Sequence, residues 1–100
     1  MYALQEMKIS HPEIVLAQSK LETGYYTSQL TRTHNNIFGF RTKNGYLQFD
    51  HWKECIQYYK KWQSKRYKGS GDYYKFLQEI GYAEDTNYIH KLKKIVNEPS

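Results

Sequence analysis

Ile37-Phe38-Gly39-Phe40-Arg41 and Tyr46-Leu47-Gln48-Phe49 flank the dipeptide Asn44-Gly45. Asn-Gly favours the left-handed backbone of tight turns whose twist matches paired strands, so this stretch predicts a β-hairpin. On either side of it the apolar period becomes helical. Upstream, Ser10, Pro12 and Glu13 read as a capping box with proline in the first turn. The helix they open runs through Ile14, Val15, Leu16, Ala17 and Leu21 and closes at Gly24. Apolar residues on nearly all its sides predict a central, largely buried helix. Residues 2–9 predict a short helix before it, and a second short helix runs from Thr27 to near His34.

Downstream, Asp50 reads as the N-cap of a helix from about His51 to Tyr67. Its Trp52, Cys55, Ile56, Tyr59, Trp62 and Gln63 trace one face. Lys68-Gly69-Ser70-Gly71 is a loop, Asp72 caps a helix from Tyr73 to Ile80, and Gly81 ends it. Asp85 opens a last helix with the stripe Tyr88, Ile89, Leu92, Ile95 and Val96, and Glu98-Pro99-Ser100 reads as tail. The fold class is mainly α (α+β): one helical domain over residues 1–100 with a single small β-hairpin lobe.

One hundred residues make one domain with one core. An aromatic content of 17% is too high for a disordered chain, and no apolar run approaches a membrane span. The single cysteine, Cys55, excludes a disulfide framework and a multi-cysteine zinc site. Residues 1–50 carry 5 basic and 4 acidic groups, residues 51–100 carry 10 and 6, so the positive excess sits in the second half. A basic surface suits nucleic acid, an anionic membrane or an acidic cell-wall polymer. No signal-peptide pattern opens the chain, which predicts a cytoplasmic protein or a domain excised from a longer precursor.

The four histidines, at positions 11, 34, 51 and 90, show no metal-ligand spacing and read as surface residues. Cys55, on the same face as Trp52 and Tyr59, reads as a small buried hydrophobe. The run Lys60, Lys61, Lys65, Arg66 and Lys68 reads as a solvated helix back, with Tyr58, Tyr59 and Trp62 interleaved as nucleic-acid binding would require. Glu22 stands apart. It falls in the last turn of the most apolar helix, where partial burial and the negative end of the helix dipole would both raise its pKa. A carboxyl kept protonated near neutral pH is what a general acid needs.

Ala17-Gln18-Ser19-Lys20-Leu21-Glu22-Thr23-Gly24-Tyr25-Tyr26-Thr27-Ser28 resembles the catalytic segment of bacterial glucosaminidase domains, glycoside hydrolase family 73. His34-Asn35-Asn36-Ile37-Phe38-Gly39-Phe40 resembles that family's Asn-Asn-hydrophobic-Phe-Gly turn, and Phe49-Asp50-His51-Trp52 the start of its next helix. Gly81-Tyr82-Ala83-Glu84-Asp85-Thr86-Asn87-Tyr88 with Lys91-Leu92 resembles its closing tyrosine segment. These motifs stand in the family's order across residues 11–96.

The resemblance implies a lysozyme-like fold with a helical lobe facing the hairpin lobe across a cleft. It also implies an endo-β-N-acetylglucosaminidase that hydrolyses the β-1,4 bond after N-acetylglucosamine in peptidoglycan. Carried over by position, Glu22 is the general acid, Tyr82 a second catalytic residue, and Asn36 and Phe38 cleft residues. Tyr25, Tyr26 and Tyr88 read as substrate-binding aromatics, because ring faces complement the C–H faces of pyranoses. The implied partner is the peptidoglycan strand, outside the membrane if the domain belongs to a secreted precursor, with Lys60, Lys61 and Lys65 helping to capture an anionic polymer. No cofactor, metal, nucleic acid or membrane insertion is expected, and the chain is expected to be a monomer.

One departure bears on mechanism. Several family members carry a second acidic residue in the β-lobe, and Phe38 to Phe49 contains none here. Asp50, Glu84 and Asp85 are the alternatives in sequence, two of them already read as caps. A substrate-assisted route through the 2-acetamido oxygen, with Tyr82 orienting that group, and an inverting route both remain open. So do a binding domain without turnover, and muramidase or lytic transglycosylase chemistry on the same type of fold.

Overall fold

The computed structural model describes residues 2–69 and 71–98. Among these the chain forms six helices and one hairpin: α1 (Tyr2–Glu6), α2 (Pro12–Thr23), α3 (Gln29–His34), β1 (Arg41–Thr42), β2 (Gly45–Tyr46), α4 (Trp52–Arg66), α5 (Tyr73–Glu79) and α6 (Tyr88–Val96). The class is mainly α with a small β lobe, as the sequence predicts. Ser70, Pro99 and Ser100 of the predicted loop and tail lie outside the described residues.

Helix α2 is central because it has no fully polar side. It buries Ile14, Val15, Ala17, Gln18, Ser19 and Thr23, and it lies against α6. Helix α4 turns Cys55, Ile56, Tyr59 and Gln63 into the same core, while Trp62 is half-buried and Trp52 lies out at the helix start. Tyr73 and Leu77 of α5 and Leu92 of α6 complete it, each at most 1% exposed. No helix among the described residues is long and apolar enough to cross a membrane.

Several local expectations give way to longer-range contacts. Ser10 and Glu13 make no capping box. The Gln63 amide holds Ser10 instead, accepting from its N–H and donating to its C=O, both at 2.9 Å. His11 becomes the N-cap in a left-handed conformation (φ 54°), with no side-chain cap. Its ring is half-buried rather than on the surface, 5.1 Å from Tyr73 in a stacked arrangement and 3.0 Å from the Tyr67 hydroxyl. At α4 the cap is His51, not Asp50. His51 Nδ1 accepts from the Lys53 N–H, and the Glu54 carboxylate accepts from the N–H groups of Asp50 and His51. Asp72 caps α5 as predicted, through the N–H groups of Tyr74 and Lys75. Asp85 lies three residues before α6, bonded to the Asn87 N–H and to Lys91.

The hairpin is shorter than its sequence suggests and turns one residue earlier. Arg41 pairs with Tyr46 and Thr42 with Gly45, so Lys43-Asn44 form the turn and Gly45 (φ 113°) follows it. Ile37 and Phe38 are consecutive and both buried, which an alternating strand does not allow. They form a turn instead. The Asn36 side chain closes it, donating to the Phe40 and Leu47 carbonyls (2.8 and 3.0 Å) and accepting from the Phe40 N–H (3.0 Å).

Candidate active site

Glu22 occupies the last turn of α2, whose end is built by the two residues that follow it. The Thr23 hydroxyl donates to the Ser19 carbonyl (2.6 Å) and accepts from the Tyr26 N–H (2.8 Å). Gly24 adopts the left-handed conformation (φ 56°) and returns its N–H to the Lys20 carbonyl. From across the groove the Asn36–Phe40 turn brings its backbone close. Gly39 (φ 68°) packs so near that a Cβ there would sit 3.5 Å from Glu22 Oε2.

The groove between them has a volume of about 430 Å³. Phe38, Gly39, Phe40 and Arg41 of the hairpin lobe line it, together with Tyr58, Trp62 and Arg66 of α4, against which the lobe packs. Ile80 and Tyr82 close it beside Glu22. Tyr82 packs edge-on to Trp62 (centroids 5.5 Å apart, 74°) and stacks on Tyr88 (5.8 Å, 26°). Phe40 meets Tyr58 at 4.8 Å. Aromatic faces thus line a channel with one acid at its head, a surface suited to stacking against the C–H faces of sugars.

Although Glu22 as a whole is an exposed residue, its carboxyl is pushed above the usual 4.5, because the surrounding groove strips part of the water from the charged form. The nearby Tyr88 hydroxyl pulls more weakly the other way, favouring the charged form. Tyr82 sits well above the ordinary tyrosine range, first through burial and then through neighbours that include Tyr88 and Glu22. It is held as a neutral phenol.

The residues singled out by sequence fall into three places. Glu22, Phe38 and Tyr82 share the groove, with Tyr88 buried behind Tyr82, on which it stacks. Asn36 lies fully buried beneath it; both amide hydrogens and the carbonyl oxygen are engaged within the chain, the last also by Cys55 Sγ. Tyr25 and Tyr26 lie elsewhere. Both take left-handed backbone (φ 59° and 69°), which bends the chain away from Glu22. The Tyr25 hydroxyl donates to Glu98, and the Tyr26 hydroxyl is 2.6 Å from Ser19 Oγ, beside a separate apolar cavity that Leu16 and Trp52 also line.

Seven groove residues were not read as site residues in the sequence: Gly39, Phe40, Arg41, Tyr58, Trp62, Arg66 and Ile80. Three of them carried a signal. Tyr58, Trp62 and Arg66 are spaced i, i+4, i+8, one narrow stripe along α4. Lys60 does not belong to a free basic face, because its Nζ donates to the Lys8 carbonyl (2.7 Å) and ties α4 to the segment after α1.

Among the described residues that line the groove, Glu22 is the one carboxylate. Asp85 is engaged outside it, its carboxyl held below the usual range by Lys91 and by the Asn87 N–H. No curated protein and no solved structure matches the chain. A family model does, over residues 1–100, that of the glucosaminidases, described as mannosyl-glycoprotein endo-β-N-acetylglucosaminidase. With a match over its whole length, the chain belongs to the glucosaminidase family of glycosidases.

Proposed function

We propose that the chain is a peptidoglycan hydrolase that cleaves the β-1,4 bond after N-acetylglucosamine, with Glu22 as general acid. The observation that carries this reading is a single desolvated carboxyl at the head of an aromatic groove. Burial keeps it protonated to higher pH than an exposed glutamate, so it can donate to the leaving glycosidic oxygen. Two-carboxylate schemes need a second group at roughly 5–9.5 Å. Glu22 has no carboxylate companion along the groove lining, which favours the substrate's own 2-acetamido oxygen as the nucleophile. That oxygen attacks C1 as the C1–O bond breaks and Glu22 gives its proton to the departing oxygen. Water then opens the cyclic intermediate at C1, losing a proton to the Glu22 carboxylate. In this reading Tyr82, neutral and in the same groove as Glu22, holds the acetamido group. The site of action is outside the membrane.

The decisive experiment digests purified peptidoglycan and identifies the new ends. Reducing N-acetylglucosamine ends support the proposal. Reducing N-acetylmuramic acid ends or anhydro ends replace it with muramidase or lytic transglycosylase chemistry, and binding without fragments leaves a glycan-binding domain. The lone carboxylate is the observation that favours the last of these.

Arg41 and Arg66 bring positive charge to the groove itself, where the peptide carboxylates of a cell-wall strand would pass. Arg41→Gln with Arg66→Gln is expected to weaken binding to sacculi at low ionic strength while leaving kcat on a neutral chitooligosaccharide nearly unchanged. Parent binding should fall as salt rises, because such attraction is screened over about 8–10 Å. Sacculus sedimentation across a salt series checks both. Equal binding by parent and variant at low salt would remove the arginines from substrate capture.

A further inference from the structure

The positive excess of the chain is gathered in one part of the fold. Residues 41–68, which span the hairpin and α4, carry eight basic and two acidic residues, and all the others together seven and eight. Two of those bases line the groove itself, Arg41 from β1 and Arg66 from α4. The ion pairs among the described residues are Lys75–Glu79 and Lys91–Asp85, so neither arginine is paired with Glu22 or with any other described carboxylate. Arg41 is nevertheless held. It pairs across the hairpin with Tyr46, and its guanidinium carbon lies over that ring, 4.9 Å from the centroid. Tyr46 does not line the groove, and at 46% exposure its ring lies outside the core. A guanidinium that rests one face on a ring keeps its N–H donors free at the edge. The stack therefore orients Arg41 and leaves its fork open to a planar carboxylate, which it matches bidentately.

We infer that the hairpin is a carboxylate-holding arm: Tyr46 positions the Arg41 guanidinium at the groove, and the pair makes the site select glycan strands that carry a carboxylate over neutral ones. The inference rests on the reading of the groove as the glycan site. Arg41 is then a specificity residue, and Tyr46 is a positioning residue that acts through it. Holding the side chain before the strand arrives removes the entropy loss of ordering a free arginine on binding. Lysine at this position would keep the charge but has neither the planar fork nor the same stacking face. Arg66 is the built-in comparison, because it lines the same groove but lies over no described ring. The carboxylate comes either from a lactyl ether on the sugar or from a peptide joined to it, and Arg41 meets the same chemistry in both.

The test reads selectivity rather than turnover. Calorimetry on the Glu22→Gln protein at low ionic strength compares three tetrasaccharides: chitotetraose, a peptide-free cell-wall strand with free lactyl carboxylates, and the same strand with its peptides. At least one acidic strand should bind more tightly than chitotetraose, and which one does so identifies the source of the carboxylate. Tyr46→Val should shrink that preference about 2- to 5-fold, the worth of a cation–π contact at an exposed site. Tyr46→Phe keeps the ring and should keep the preference. Arg41→Lys should lose as much as Tyr46→Val, and more than Arg66→Lys. In the Arg41→Gln background Tyr46→Val should cost nothing further. Hydrogen-exchange protection of the Leu47 N–H, which donates to the Phe40 carbonyl at 3.0 Å, shows whether the hairpin is still closed. If Tyr46→Val opens it, Arg41→Lys decides. An unchanged preference in a closed Tyr46→Val or in Arg41→Lys overturns the inference, as does a further loss from Tyr46→Val in the Arg41→Gln background. Equal binding of all three strands overturns the inference alone, whereas binding of none removes the groove as a glycan site and the inference with it.

Discussion

Glu22→Gln should abolish peptidoglycan cleavage, lowering kcat by at least ~10²-fold from the loss of general-acid catalysis, with fold and glycan binding retained. Glutamine keeps the shape of the side chain but has no acidic proton to give. The same desolvation fixes the sign of two pH effects. In the parent, activity should fall as pH rises through the Glu22 pKa, which lies above 4.5. Stability should move the same way, because the folded state holds the proton more tightly than the unfolded chain. The cost of burying the charged carboxylate is absent below pH 4.5 and complete once pH exceeds the raised folded value. Glu22→Gln escapes that cost, so its Tm should exceed the parent's at neutral pH and match it below pH 4.5. A mutant that retains most of its cleavage, with a Tm difference independent of pH, would remove Glu22 from the role.

Asn36→Ala should be the most damaging substitution for the fold, at about 3 kcal/mol and a Tm lower by more than about 10 °C. The Phe40 N–H and the Phe40 and Leu47 carbonyls all lose their side-chain partner at once. Strands of two residues cannot replace those bonds. The loss should reach the site as well, because the Asn36–Phe40 turn carries Gly39 to Glu22. Asn36→Asp keeps the acceptor but offers no hydrogen to either carbonyl, so it should fall between parent and alanine. Thermal and denaturant unfolding of the three proteins checks the order. An alanine variant within about 1 kcal/mol of the parent would refute the structural role.

How much of this was legible in the sequence divides along the range of the interactions. Helices α2, α4 and α5 could be read because apolar spacing, Gly24 and Asp72 act within a few residues of where they stand. Glu22 could be picked out for the same reason: the helix that buries it and the glycine behind it are contiguous in sequence. The hairpin register could not be read. It is set by Asn36, whose amide reaches eleven residues ahead to Leu47 and outweighs the local preference of Asn44-Gly45. The Ser10 cap failed likewise, to a glutamine 53 residues away. Tyr25 and Tyr26 looked like site residues by proximity, but two left-handed residues reverse the chain direction, which composition does not announce. The α4 stripe of Tyr58, Trp62 and Arg66 was available, yet a basic helix face reads as solvated until a second lobe is seen opposite it.

The buried thiol turns the hairpin lobe into something that can be timed. Cys55 is the chain's lone cysteine, fully buried, with its Sγ 3.7 Å from the Asn36 oxygen that holds the lobe together. Burial pushes the thiol up to about 11, so at ordinary pH it is neutral and shielded at once. A thiol-specific reagent can react only after the lobe has lifted from α4. The labelling rate, set against that of the unfolded chain, therefore measures how often the groove wall detaches in the native protein. The one thiol thereby serves as a clock for the opening of the groove beside Glu22.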